Sequence, residues 1–226
     1  MFRYFEKPEL TPIIQSLIVQ SSLPLKAVEI DFAADSSGFS TSKLINWNET
    51  KYKGHGDMEH DWLKAHLMTG VKTNTVTAVE VWDRHTHDSF LFKFLVEATA
   101  KNFDMREVSA DKGYLSARNL EAVTKFGATP YIPFKSNTVL REVPNSLWDR
   151  MFHYFSFNRT DFMSHYHKRS NVESTFSMIK GKFGDYVRSK TPTAQMNEVL
   201  LKVLCHNICV LIQATHELGI ETQFRN

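Results

Sequence analysis

Three acidic residues carry the chemistry open to this sequence: Asp35 in AADSSG, Asp111 in VSADKGY and Glu173 in NVESTF. Asp35 and Asp111 each follow a run that reads as a β-strand, and loops at strand ends are where mixed and parallel sheets place their active sites. Glu173 lies on a helix later in the chain. Three carboxylates brought together repel one another unless cations sit between them. Hard oxygen donors in an open site suit Mg2+ or Mn2+. Two such ions, about 3.5–4 Å apart, activate an attacking oxygen and stabilise a leaving one in phosphoryl transfer. Taken singly, the three residues also have plainer roles: Asp35 in an Asx turn, Asp111 as a helix-start cap, Glu173 in a surface salt bridge with Arg169. Asp31 rivals Asp35 but sits inside the alternating strand. His85 and His87, in DRHTHDS, read as a solvated loop rather than as ligands.

The segment around Glu173, SHYHKRSNVESTFSMIKGKFG, has a second feature. A helix turns about 100° per residue, so with Glu173 at zero Tyr166 falls at about +20°, Arg169 at about −40° and Lys180 at about −20°. Val172, Phe176, Ile179 and Phe183 cluster beside them, at about −60° to −120°. A polar stripe therefore borders an apolar one. Arg169 offers a two-pronged fork to a phosphate and Lys180 a mobile point charge. Tyr166 offers a hydroxyl or a stacking ring. Lys182, Arg188 and Lys190 follow, and KYKGH, Lys51 to His55, interleaves bases with an aromatic; either group would track a phosphate backbone.

Positioning these residues takes a sheet. KAVEIDFAAD alternates Val28, Ile30, Phe32 and Ala34 on one face and reads as a strand that stops at the turn DSSGFS. Residues 43–61 read as a polar loop. WLKAHLMTG and TVTAVEVWD flank VKTN as a hairpin. A helix starts at Asp88-Ser89 and runs to about Phe103, with Phe90, Phe94 and Leu95 on its apolar side. REVSAD is a strand, Ser116–Phe126 a helix stopped by Gly127, and ATPYIPF a short strand. A helix at NSLWDRMFHYFS buries Trp148, Met151, Phe152 and Phe155; the helix of the stripe and a last helix from Thr193 to Leu218 follow. Before them all, PELTPIIQSLIVQSS forms a short amphipathic helix. The order predicts an α/β fold with a mixed sheet and helices on both faces. It divides into an N-terminal helical extension (1–25), a catalytic domain (26–190) and a C-terminal helix packing on it (191–226).

Tyr166, two residues, Arg169, three residues, Glu173, six residues, Lys180: this resembles the Y-(2)-R-(3)-E-(6)-K signature of DDE transposases of bacterial insertion sequences. AADSSGFS is similar to that family's first-Asp segment, SADKGYLS to its second, and VWDRHTHDS to the segment before its central helix. The resemblance spans about Lys26 to Arg188. It implies a ribonuclease H-like fold and metal-dependent cleavage of DNA at element ends, with strand transfer into target DNA. Asp35, Asp111 and Glu173 become the metal triad for Mg2+ or Mn2+, two ions in all; Tyr166, Arg169, Lys180 and Lys182 become DNA contacts. It further implies action on the nucleoid, in the cytoplasm, by a homodimer on paired ends. The alternatives are a nuclease that cuts without joining and a truncated or domesticated remnant that binds without cutting. Family members usually carry an upstream DNA-binding segment, for which the residues before the first strand leave no room. The interval 173 − 111 = 62 residues is too short for the large β-rich insertion of some relatives.

Composition sets outer bounds. The 226 residues are 42% hydrophobic and 23% charged, ordinary for a globular chain with a sizeable core. Formal charge is only +2, so contact with a polyanion must come from local patches. Cys205 and Cys209, one helical turn apart on an apolar segment, read as buried free thiols of a reducing compartment. The N-terminus shows no apolar core of a signal peptide, and Lys202, His206 and Asn207 break up the best apolar run, which excludes a membrane partner.

Overall fold

The fold, taken from a computed structural model, is described for residues 2–41, 62–83, 85–139 and 145–220. KYKGH and the whole loop predicted around it, residues 43–61, lie outside the described residues. A five-stranded sheet is built from β1 (Asp31–Ser40), β2 (Trp62–Gly70), β3 (Val76–Asp83), β4 (Glu107–Ala110) and β5 (Thr129–Tyr131), in the order β3-β2-β1-β4-β5. β2 runs antiparallel to both β1 and β3, whereas β4 is parallel to β1 and β5 parallel to β4. The helices are α1 (Phe2–Phe5), α2 (Leu10–Ser22), α3 (Asp88–Ala100), α4 (Ala117–Thr124), α5 (Leu147–Phe157), α6 (Arg159–Tyr166), α7 (Ser170–Phe183) and α8 (Pro192–Leu218). This is the mixed α/β sheet of a ribonuclease H-like fold.

Strand alternation gives the sheet a core on each face, with a small third cluster of Leu25, Val210 and Ala214 apart from them. Phe32, Ala34, Val108 and Ala110 pack with Phe92 and Leu95 of α3, Leu120 and Val123 of α4, Met151 and Phe155 of α5 and Phe162 of α6. Ala33 and Phe39 pack with Ile14 and Ile18 of α2, Val172, Phe176 and Ile179 of α7, and Val199, Leu200 and Val203 of α8. Trp148 and Phe152 lie against the first core, as their spacing predicts.

Four expectations need correction. The first strand starts at Asp31, with Ile30 exposed, and runs straight through DSSGFS to Ser40. The serines and Gly38 hold an antiparallel ladder with β2, from Asp35 opposite Leu67 to Ser40 opposite Trp62. The Trp62 ring lies over Gly38, 3.5 Å from where a Cβ would stand, an ordinary packing contact. On α3, Phe90 and Phe94 face outward while Leu91, Phe92, Leu95 and Val96 are buried, so the apolar face is rotated from the predicted one. Cys205 is exposed and Cys209 half-buried, because the core side of α8 is taken by Lys202, Val203, His206 and Asn207. Finally, α8 is long and apolar enough by length and composition to cross a membrane, contrary to the sequence expectation. Its polar residues do not interrupt it; they are buried and bonded. Asn207 exchanges hydrogen bonds with the Val76 backbone (2.8 and 2.7 Å), and Lys202 donates to three carbonyls at the end of α7.

Candidate active site

β1 and β4 lie side by side and in parallel, with Ala34 opposite Ala110. One step further along, Asp35 and Asp111 occupy neighbouring positions: Asp35 in mid-strand, Asp111 where β4 gives way to a 3-10 turn (Lys112–Tyr114). The helix bearing Glu173 crosses this sheet face, its Val172, Phe176 and Ile179 packed on Ala33 and Phe39. Gly184 ends it at φ 84°, a conformation that favours glycine, with its N–H on the Lys180 carbonyl.

The predicted single helix is broken. α6 ends at Tyr166, a 3-10 turn covers His167–Arg169, and α7 begins at Ser170. A 3-10 turn is tighter than an α-helix, so the stripe is bent rather than straight. Arg169 sits at the bend. Its Nη2 donates to Asp35 Oδ2 at 2.8 Å and its Nη1 to Glu173 Oε1 at 2.6 Å. One guanidinium thus joins two carboxylates that are 138 residues apart in sequence (173 − 35). The Arg169 Nε is buried and donates to nothing among the described residues. Burial opposes the guanidinium charge, but Asp35 and Glu173 outweigh it and hold Arg169 above its usual range.

Burial pushes the Asp35 carboxyl up. Arg169 and the Ser36 N–H, 2.9 Å away, pull it down, and the charges of Asp111 and Glu173 push it up again. Tyr166 feels the same group: burial raises its hydroxyl, Arg169 lowers it, and Asp111, Glu173 and Asp35 raise it. Asp35, Asp111, Glu173, Tyr166 and Arg169 therefore share one electrostatic neighbourhood. Lys180 joins the same strand face further along, donating to Ser37 Oγ at 2.7 Å with its ammonium 5.3 Å from the Phe39 ring centre. Burial pulls Lys180 below its usual range. Lys182, Arg188 and Lys190 are exposed, as are His85 and His87.

Among the described residues, no three His, Cys, Asp or Glu side chains stand close enough, as they lie, to hold one metal ion. The donor set nevertheless fits a hard divalent cation: all-oxygen, acidic, and already gathered by two of its members around one positive group. That group is Arg169.

Asp31, the rival, points into a different cluster, four residues before Asp35. It stands directly opposite Glu107 across β1 and β4. Lys168 Nζ lies between the two carboxylates, 2.9 Å from Asp31 Oδ2 and 2.7 Å from Glu107 Oε2. Arg106 adds a fork to Asp31 (2.9 and 2.6 Å), and His165 Nδ1 meets Glu107 at 2.9 Å while its ring stacks on Tyr131. Sequence reasoning missed this cluster, although the spacing was visible: Asp31–Asp35 and Glu107–Asp111 are the same four-residue step in two strands, and Lys168 and Arg169 are adjacent.

The family described as Transposase DDE domain matches residues 27–208. Comparison with curated proteins gave no match. The chain belongs to the DDE transposase domain family. Members of that family are transposases, metal-dependent enzymes of phosphoryl transfer on DNA, and they generally use divalent metals.

Proposed function

We propose that Asp35, Asp111 and Glu173 form the catalytic centre of a transposase that cleaves DNA at element ends and transfers the freed strand into target DNA. One observation carries this reading: Asp35 and Asp111 occupy adjoining positions of parallel strands, and Glu173 is tied to Asp35 through a single side chain. The three carboxylates would hold Mg2+ or Mn2+, two ions in all; when bound, these supply activation of an attacking oxygen and stabilisation of a leaving one. The remaining work falls to the chain itself. Tyr166 and Lys180, on either side of Glu173, seat phosphates flanking the scissile one, and Lys182 extends the track outward. Arg169 supplies a fork matched to a phosphate. Burial of Asp35 keeps bulk water away from one side of the centre. A 3′-hydroxyl freed by the first cut, held on the same track, attacks the second DNA. The natural setting is the nucleoid, with two copies on paired ends.

The test uses plasmid DNA carrying the sequence that flanks the chain's own gene, incubated in Mg2+ with wild type or Asp111→Asn. The amide keeps the shape and removes one anion, so cleavage and joined products should disappear while DNA binding persists or tightens. An Asp111→Asn chain that cuts near the wild-type rate would sink the assignment.

A further inference from the structure

The same sheet face carries two acidic pairs, and each is closed by one of two adjacent basic residues. Asp31 and Glu107 are bridged by Lys168; Asp35 and Glu173 are bridged by Arg169. The two bridges differ in what surrounds them. Lys168 is backed by Arg106 and His165, so its carboxylates have every reason to stay as they are. Arg169 stands alone between its partners. The carboxylate of Asp111, the third acid, has no hydrogen-bond or ion-pair partner among the described residues, its backbone carbonyl alone accepting from the Tyr114 N–H. Glu173 is exposed, and the Nε of Arg169 has no acceptor. The Arg169 side chain is only 17% exposed, with its two terminal nitrogens on Asp35 and Glu173.

We propose that Arg169 is an internal counter-ion that occupies the carboxylate centre until divalent metal and a DNA phosphate arrive, and then exchanges partners: its carboxylates go to the metal and its guanidinium to the phosphate. This rests on the reading of Asp35, Asp111 and Glu173 as the metal triad. The physical ground is charge balance. Without a cation, half-buried Asp35 beside Asp111 and Glu173 is an uncompensated cluster, and Arg169 offsets part of it. A divalent ion entering between Asp35 and Glu173 meets the guanidinium in its way. It binds only as fast and as tightly as Arg169 yields. A phosphate that draws Arg169 outward removes that obstacle, so DNA and metal strengthen each other's binding by the same factor.

The experiment needs no cleavage and no DNA. Mn2+ affinity of the whole chain is measured by titration with free Mn2+ followed by electron paramagnetic resonance, for wild type, Arg169→Gln, Arg169→Lys and Asp111→Asn. Removing the competing charge should tighten Mn2+ binding by about tenfold or more in Arg169→Gln, since like charges this close and partly buried repel strongly. Arg169→Lys, which keeps the charge but loses the fork, should fall between and serves if the Gln variant folds poorly. Melting in EDTA should be lower for Arg169→Gln than for wild type, and saturating Mn2+ should narrow the gap. Equal or weaker Mn2+ binding by both Arg169 variants, with wild type binding and Asp111→Asn not, overturns the exchange and leaves the metal triad standing: Arg169 then only orients Glu173. Absence of Mn2+ binding from wild type and both Arg169 variants overturns the triad and the exchange together. Binding by Arg169→Gln alone supports the exchange.

Discussion

Replacing Lys168 with methionine keeps the stem and deletes the ammonium. What remains is Asp31 and Glu107 facing each other across parallel strands, with side chains only 13% and 10% exposed. Breaking a buried charge pair costs about 3–5 kcal/mol, and an exposed one about 0–1. Lys168 itself is 29% exposed, and Arg106 and His165 stay to share the load, so the expected loss lies between, at about 2 kcal/mol. For a chain of this length that corresponds to about 4–8 °C in melting temperature. The effect depends on pH with a definite sign. Burial raises the Asp31 carboxyl, but Arg106 and Lys168 outweigh it and hold it below its ordinary 3.8. A depressed acid contributes stability that is present above its unfolded value and lost as pH falls through the folded one. The wild-type advantage should therefore be full at pH 7 and shrink below pH 3.8. Urea unfolding followed by circular dichroism at both ends of that range measures it. A Lys168→Met chain within about 0.5 kcal/mol of wild type at pH 7, or a penalty unchanged in acid, would refute the argument.

Asp35→Asn should move stability the other way. Burial raises Asp35 despite Arg169, so ionising it costs the folded state; the amide should melt higher than wild type at pH 7, with no advantage below pH 3.8, and thermal melts across that window check it. Lys182→Ala, at an exposed position, should lower the slope of log affinity for DNA against log salt by about 0.9 without loss of stability, whereas Glu173→Gln should leave the slope unchanged and remove cleavage; filter binding over a salt series separates them.

Much of this was legible in the sequence because it is local. The β2–β3 hairpin, the strand before Asp111 and the cap-and-stop signals of α4 and α5 are set by alternation and by Ser116, Ser146 and their neighbours. Ser116 and Ser146 accept the N–H of Asn119 and Asp149, as helix-start residues should. The extension of β1 was not legible. DSSGFS has every mark of a turn, and only pairing with β2 and the Trp62 ring over Gly38 draws it into the sheet. The break at His167–Arg169 was hidden for a different reason. A three-residue 3-10 turn changes the helical angle too little to disturb the i, i+3, i+4 pattern, so Arg169 still meets Glu173. The Lys168 cluster left only its matching four-residue steps in the sequence, because joining them depends on the register of two strands 76 residues apart (107 − 31).

Lys202 sets the order in which the molecule can become whole. Its ammonium closes the Phe183, Gly184 and Tyr186 carbonyls just past the helix that bears Glu173, and Val199, Leu200 and Val203 support that helix from behind. All three acids are synthesised well before residue 202. A nascent chain still threading through the ribosome therefore owns all three acids but lacks the lysine that closes the end of the helix bearing Glu173. That brace arrives only once α8 has emerged, and translation products that end before it carry the three acids without it.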